Sequence, residues 1–157
     1  MGNREDAKAG GYMKILVING PNMDKLGKRD ASVYGAETLA EINKKISALA
    51  QELSVEVSFY QSASEGDIVS EIGSADEKYD GAVINPAAYT HTSVAIRDAI
   101  EAAKIPFAEA HMSNIYSRED FRSKSMTAPV CAGQISGFGS ESYMLALRAL
   151  VSLLKKK

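Results

Sequence analysis

Residues 81–103 read GAVINPAAYTHTSVAIRDAIEAA and combine three patterns in one short stretch. The apolar run Gly81–Ile84 is typical of a buried strand. From Val94 onward, apolar residues recur at helical spacing, which predicts a helix that ends at Ala103. Between the two lies NPAAYTHTS, which is longer and richer in amide, hydroxyl and imidazole groups than a simple turn requires. A strand, a loop and a helix in this order form one unit of an α/β fold.

The same unit recurs along the chain. Apolar or alternating runs predict further strands at residues 14–18, 55–60, 106–110 and 130–135. Helix starts are predicted where a capping hydroxyl is followed three residues later by an acid: Thr38 with Glu41, Ser64 with Asp67, and Ser117 with Asp120. A last helix starts near Ser140 and ends in the lysines 155–157, whose charge suits a helix C-terminus. Five such alternations predict an α/β fold, a flavodoxin-like, doubly wound, five-stranded parallel sheet in the order 2-1-3-4-5.

Composition excludes several classes of protein. The 157 residues suit one domain at residues 13–157, preceded by a flexible tail at residues 1–12 that lacks the apolar segment of a secretory signal. No apolar run approaches the ~18 residues of a membrane span. The net charge of −2 does not indicate the excess of basic residues that is typical of nucleic-acid-binding proteins. The single cysteine, Cys131, rules out an internal disulfide and favours the reducing cytoplasm.

Chemically useful side chains collect after strands one, three and four. In a doubly wound sheet, ligands bind beyond the carboxyl ends of strands near the switch in strand order. Both histidines of the chain, His91 and His111, fall in this region. The alternative is that these are ordinary turn residues, with Thr92 or Ser93 capping the third helix. Two of two histidines at neighbouring strand ends favour a functional crevice.

The loop from Asn19 to Gly35 is longer than most loops of compact domains, as catalytic lids often are. It carries Lys25, Lys28 and Arg29, so a small anionic substrate is expected. The alternative is a solvated insertion without a role in binding.

Other chemistries lack their motifs. There is no CxxC or HExxH metal pattern, no phosphate-binding glycine motif and no Gly-x-Ser-x-Gly elbow. A flavin site is disfavoured by Pro21, which lacks a backbone donor, and a phospho-receiver by the lack of acids after strands one and three. The residues therefore point to acid–base chemistry without a cofactor or a metal.

Four blocks carry a specific family resemblance. They are INGPNMDKLGKRDASVYG at 18–35, INPAAYTHTSVAIRDAI at 84–100, EAHMSNIYSREDFR at 109–122 and SGFGSESYMLALRAL at 136–150. In order and spacing they resemble type II 3-dehydroquinate dehydratase, over Met13 to about Leu153. The resemblance implies dehydration of 3-dehydroquinate to 3-dehydroshikimate through an enolate, in the shikimate pathway or quinate breakdown. It also implies a cytoplasmic homo-oligomer, a dodecamer built from trimers, with no cofactor.

The resemblance also implies catalytic roles. Tyr34 matches the base, and Arg29 the lid arginine beside it. Asn22 matches the residue that holds an enolate-stabilising water. His111 matches the general acid, with Glu109 as its orienting partner.

Substrate-binding roles fall to a second set, which is Asn85, His91, Asp98, Met112, Ser113 and Arg122. The backbone of Met112 and Ser113 is expected to receive the substrate carboxylate. Asp98 is expected to reach into the active site of a neighbouring subunit.

Two positions depart from the family pattern. Ala31 stands where proline is common, which predicts a more flexible lid. Ala87 stands where glycine is common, which predicts a mildly strained positive φ. The runner-up functions are a non-enzymatic or differently catalytic domain that binds a small anion in the same crevice, and a receiver-like interaction module.

Overall fold

The computed structural model describes residues 11–157. The predicted tail at residues 1–12 lies outside the described residues except for Gly11 and Tyr12, which are exposed. Within the described part of the chain, one sheet holds five parallel strands in the order β2-β1-β3-β4-β5, which confirms the predicted topology. Their bounds are β1 Met13–Asn19, β2 Val55–Gln61, β3 Gly81–Asn85, β4 Phe107–His111 and β5 Gly133–Ser136.

Helices cover both faces of this sheet. Their bounds are α1 Ala31–Tyr34, α2 Leu39–Glu52, α3 Glu65–Ala75, α4 Val94–Ala102 and α5 Glu141–Lys155. Alternate residues of β1 point to opposite faces. Ile15 and Val17 pack into one apolar cluster with α2 and α5, whereas Leu16 and Ile18 pack into a second with α3 and α4. Both clusters are buried, so the sheet is fixed from both sides.

Local capping explains three helix starts. Thr38 and Glu41 form the predicted capping box of α2, and the Ser64 side chain accepts from the backbone of Asp67. Ser93 caps α4 by accepting from Ile96 N–H at 2.9 Å. Each cap satisfies a backbone donor that the helix leaves unpaired, typically stabilising it by about 1 kcal/mol.

Two local predictions were wrong. Ser117 does not cap a helix, because it lies inside the 3₁₀ turn Ile115–Ser117, whose first turn is capped by Asn114. The fifth strand starts at Gly133 rather than residue 130, because residues 128–130 form a 3₁₀ turn that contains a proline. The proline ring fixes φ and removes a backbone donor, which favours a turn over a strand here.

The long loop after β1 is structured. It holds the 3₁₀ turn Met23–Lys25 and the short helix α1. Asp30 caps α1 by accepting from the backbone of Ser32. The capped turn places Tyr34 at a defined point beyond the carboxyl edge of the sheet.

No helix in residues 11–157 is both long enough and apolar enough to span a membrane.

Candidate active site

The loops after β1 and β3 lie against each other at the switch in strand order. Gly20 N–H donates to the Asn85 carbonyl at 2.8 Å. A Cβ on Gly20 would lie 2.4 Å from the Pro86 carbonyl oxygen, a distance that side chains do not adopt. Glycine at this position therefore permits the close approach that forms the floor of a cleft.

One cleft gathers every predicted site residue except Glu109 and Asp98. These cleft residues are Asn22, Arg29, Tyr34, Asn85, His91, His111, Met112, Ser113 and Arg122. The lining also includes Arg118, which sequence reasoning missed. Three arginines give the cleft a positive potential suited to an anionic ligand.

The Tyr34 hydroxyl lies between two of those arginines. Arg29 Nη2 donates to the hydroxyl at 2.9 Å, and Arg118 Nη2 donates at 3.0 Å. The Arg29 guanidinium also lies over the Tyr34 ring, 3.9 Å from its centroid. The hydroxyl is therefore held by two guanidinium groups from different segments of the chain. Arg29 and Tyr34 therefore meet within one loop, through a hydrogen bond and a cation–π contact.

The sequence did not predict Arg118 as a site residue, for a physical reason. It lies on the segment after β4, remote from Tyr34 along the chain, and no local pattern couples the two. The available signal was a second cation beside Arg122 in the same block. Arg118 also donates to the Ser113 hydroxyl, though at a long 3.5 Å, so it connects the base to a predicted binding residue.

His111 ends β4 and is backed by a buried carboxylate. Its Nε2 lies 2.9 Å from Glu109 Oε2. Glu109 is fully buried, and His111 is almost so, while still lining the cleft. Burial by itself would raise the pKa of Glu109, but hydrogen bonds from His111, Thr127 and Ser125 outweigh it and hold the pKa below its ordinary value. The carboxylate is therefore ionised and orients the ring through Nε2, which leaves Nδ1 as the ring nitrogen for a ligand.

His91 presents a different electrostatic environment. Its Nδ1 lies 2.8 Å from the Lys124 carbonyl oxygen, so Nδ1 carries the proton and donates it. Burial lowers the pKa of His91, and the charges of His111 and Arg122 act in the same direction, against the hydrogen bond to Lys124. A neutral ring with Nδ1 already bonded offers Nε2 as an acceptor. His91 is thus suited to accept from a ligand hydroxyl rather than to supply a proton.

The side-chain amide of Asn85 forms hydrogen bonds within the protein. Its Nδ2 donates to Tyr143 Oη at 2.8 Å, and its Oδ1 accepts from Ala87 N–H at 3.0 Å. Tyr143 is buried and its hydroxyl in turn donates to Asn19, which joins the ends of β1 and β3 to α5. Ala87 has φ 54°, as predicted from its place in the family pattern. The bond from Ala87 to Asn85 helps to hold this strained backbone in place.

Asn22 lies at the mouth of the cleft with φ 67° and its side chain makes no capping bond to the turn that follows. Asparagine tolerates this left-handed conformation better than most residues. Asn22 is exposed and is one of the residues that line the cleft.

Asp98 is the predicted site residue that the structure places elsewhere. It is exposed on α4 and does not line the cleft of its own chain. Among the described residues, no group of three or more histidine, cysteine, aspartate or glutamate side chains is placed to hold a metal ion.

The fold and the cleft define a flavodoxin-like α/β domain with an arginine-lined cleft at the switch in strand order. The family model for class II dehydroquinase matches residues 13–151. The chain belongs to the class II dehydroquinase family.

Individual relatives agree with that assignment. A protein of Geotalea daltonii named 3-dehydroquinate dehydratase is 54% identical over 144 residues, which cover 92% of this chain and all of the relative. A protein of the same name from Endomicrobium trichonymphae is 55% identical and covers 90% of this chain and 99% of its own. The crystal structure of the type II dehydroquinase of Butyrivibrio crossotus matches with a TM-score of 0.88 and 46% identity, over 90% of this chain and 99% of that one.

Proposed function

We propose that this chain dehydrates 3-dehydroquinate with Tyr34 as the base and His111 as the acid. The activity follows from the family, whose members are named 3-dehydroquinate dehydratase. The chain is a hydro-lyase of the shikimate pathway. The assignment of roles rests chiefly on the Tyr34 hydroxyl, which receives hydrogen bonds from Arg29 and Arg118.

The first step removes a proton from the carbon beside the substrate ketone. An ordinary tyrosine is ionised only about one time in a thousand at pH 7, so a tyrosine base needs help from its surroundings. Arg29 and Arg118 provide that help by placing two hydrogen-bond donors and positive charge at the Tyr34 hydroxyl. The phenolate of Tyr34 takes the proton and leaves an enolate.

The enolate needs stabilisation at its oxygen. A water held by the Asn22 amide fills that role, because a donor fixed in a cleft stabilises developing negative charge without reorganising. The substrate carboxylate lies on the backbone of Met112 and Ser113, and Arg122 supplies positive charge beside it. The ring hydroxyls are held by His91 and by the Asn85 region of the cleft.

The second step expels the C1 hydroxyl as water. His111 donates the proton that the leaving oxygen requires, since an imidazolium is available near neutral pH. Glu109 fixes the ring at 2.9 Å through Nε2, which supports this role. The elimination moves one proton from carbon to Tyr34 and one from His111 to the leaving oxygen, so the net charge of the enzyme is unchanged, and the next turnover requires Tyr34 to lose a proton and His111 to regain one.

We also infer that the active site is completed by a second copy of the chain. Asp98 is exposed and does not line the cleft of its own chain, which supports a role across a subunit contact. The expected assembly is a trimer of shared sites, and four trimers form the dodecamer. The inferred compartment is the cytoplasm, because the single cysteine suits a reducing environment.

The decisive experiment incubates the purified protein with 3-dehydroquinate and follows the ultraviolet absorbance of the conjugated enone. We expect absorbance to rise with enzyme concentration and without any added metal or cofactor. A folded protein that produces no enone overturns the proposed function.

A further inference from the structure

The buried carboxylate of Glu109 receives more hydrogen bonds than His111 alone supplies. Glu109 and His111 lie two residues apart on β4, so their side chains share one face of the sheet. Both of the carboxylate oxygens have further donors. These donors come from three other segments of the fold, which is more than a simple orienting pair requires.

The donors surround the carboxylate in an ordered way. Thr127 donates to Oε1, and Thr90 donates to the same oxygen at 3.1 Å. Ser125 and Gln134 each donate to Oε2 at 2.8 Å. We call these four side chains the carboxylate cage.

The cage is itself anchored. The Ser125 hydroxyl accepts from Ala128 N–H at 2.9 Å, which leaves its proton for Glu109. The Thr90 carbonyl accepts from Met126 N–H at 2.6 Å, which ties the loop after β3 to the segment before β5. Gln134 lies opposite Glu109 in the register of β4 and β5. The cage geometry is therefore set by sheet pairing and by backbone contacts.

The position of one proton depends on this cage. His111 Nε2 lies 2.9 Å from Glu109 Oε2, so the proton between these two atoms has two possible positions, the imidazole and the carboxylate. Neutral donors around a carboxylate favour its ionised form, and a buried carboxylate without them is costly. Four donors thus favour an imidazolium beside a carboxylate over a neutral imidazole beside a carboxylic acid.

We propose that the carboxylate cage keeps the Nε2 proton on His111, so that Nδ1 donates from an imidazolium, with Thr127 and Gln134 as positioning residues that act through Glu109. This inference rests on the proposed role of His111 as proton donor. It assigns a catalytic consequence to residues that touch neither substrate nor the proton donor itself.

The titratable groups near Glu109 come from several elements. They are His111 on β4, His91 after β3 and Cys131 before β5, with the cation Arg122 acting on His91. Burial raises the pKa of Cys131, and Glu109 adds to that effect, so its thiol stays neutral. The pKa of Glu109 lies below its ordinary value. Removal of a cage donor therefore raises the pKa of Glu109 and moves its protonation to higher pH.

The test compares wild type with Thr127→Val and Gln134→Leu, each of which removes a donor at similar volume. Thr127→Ser keeps the hydroxyl and is the matched control. We expect kcat at pH 7 to fall about tenfold in each test variant, with KM within about twofold of wild type. In the plot of kcat against pH, we expect the acidic limb to shift to higher pH by about one unit. Thr127→Ser restores both values toward wild type.

A second readout does not depend on turnover. The chain has two histidines, so their ring nitrogens are resolved by NMR and assigned with His91→Asn. In Thr127→Val at about pH 6, we expect the ¹⁵N chemical shifts of the His111 ring to move toward the values of a neutral imidazole. Thermal unfolding shows whether each variant is folded, and Gln134→Leu, whose side chain is only half-buried, replaces Thr127→Val if the latter unfolds.

The outcomes separate the two proposals. Wild type without enone formation overturns the proposed function, while the NMR shift still decides whether the cage controls the proton. Active wild type with an unchanged acidic limb and unchanged His111 shifts in both folded variants overturns the cage. A rise in KM with unchanged kcat also overturns it, because that result assigns the cage to loop packing.

Discussion

Arg118 Nη2 donates to Tyr34 Oη at 3.0 Å across a sequence separation of 84 residues. Arg29 donates to the same hydroxyl at 2.9 Å from within the loop after β1. The candidate base is therefore held jointly by its own loop and by the segment after β4. Two cations thus converge on the one phenol oxygen that the proposed mechanism uses as its base.

Replacing Tyr34 by phenylalanine removes only the hydroxyl and keeps the ring under Arg29. We expect kcat to fall by about three orders of magnitude or more, because proton abstraction from carbon loses its base. KM should stay near wild type. Steady-state kinetics of Tyr34→Phe measures both, with Tyr79→Phe as a control at a tyrosine that packs against the α3 and α4 side of the sheet. Near-normal turnover in Tyr34→Phe assigns the base to another group.

Arg29 and Arg118 are expected to act on the same hydroxyl. Arg29→Met and Arg118→Met should each lower kcat by about ten- to a hundredfold, since hydrogen bonds to charged groups contribute about 1.5–3 kcal/mol. The fold-loss of kcat in the double variant should be smaller than the product of the two single-variant losses, because both arginines act on one hydroxyl group. Arg118→Lys should recover only part of the rate, since lysine lacks the planar guanidinium geometry. Wild-type kcat in Arg118→Met contradicts the role of that residue.

The two histidines should separate in kinetics. His111→Asn is expected to lower kcat strongly, because the leaving hydroxyl loses its proton donor. His91→Asn is expected to raise KM at least as much as it lowers kcat, because Nε2 of His91 serves only as an acceptor. If His91→Asn mainly damages kcat and leaves KM unchanged, the two roles are reversed.

Subunit complementation tests the shared site. Asp98→Asn chains keep Tyr34, and Tyr34→Phe chains keep Asp98. Mixed oligomers should therefore contain some sites with both intact residues and recover part of the activity, although each parent is impaired. Native mass spectrometry verifies that the subunits have mixed. Full activity in a monomeric form, or no recovery in verified mixed oligomers, argues against the contribution of a neighbour.

His91 should make stability depend on pH. Its folded-state pKa lies below the ordinary value of about 6.5, so the unfolded chain binds more protons over that window. The stabilisation is present above about pH 6.5 and is lost as pH falls through the folded pKa. Urea unfolding at a series of pH values between about 7.5 and 5 should show a shallower decline for His91→Asn than for wild type. An identical pH dependence in the two proteins contradicts this assignment.

Local signals in the sequence determined most of the fold. Period-two and period-3.6 apolar patterns identified the strands and the long helices, because burial on a sheet or helix face imposes those spacings on nearby residues. The capping box of Thr38 and Glu41 was also predictable from the sequence, since a helix cap involves residues within one turn. The predicted Ser117 cap failed because a nearby Asn114 side chain satisfies the turn instead.

The sequence by itself also determined where the chemistry collects, because strand order places the ends of β1, β3 and β4 beside one another. Only the tertiary structure decided how those groups are connected. Three contacts join residues from different elements. They are the hydrogen bond from Arg118 to Tyr34, the carboxylate cage around Glu109, and the hydrogen bond from the Asn85 amide to Tyr143. No local spacing encodes such contacts, since they depend on how two sheet faces and several loops pack in space. The sequence therefore predicts the candidate reacting groups, whereas the packing decides which hydrogen-bond partners each of them has.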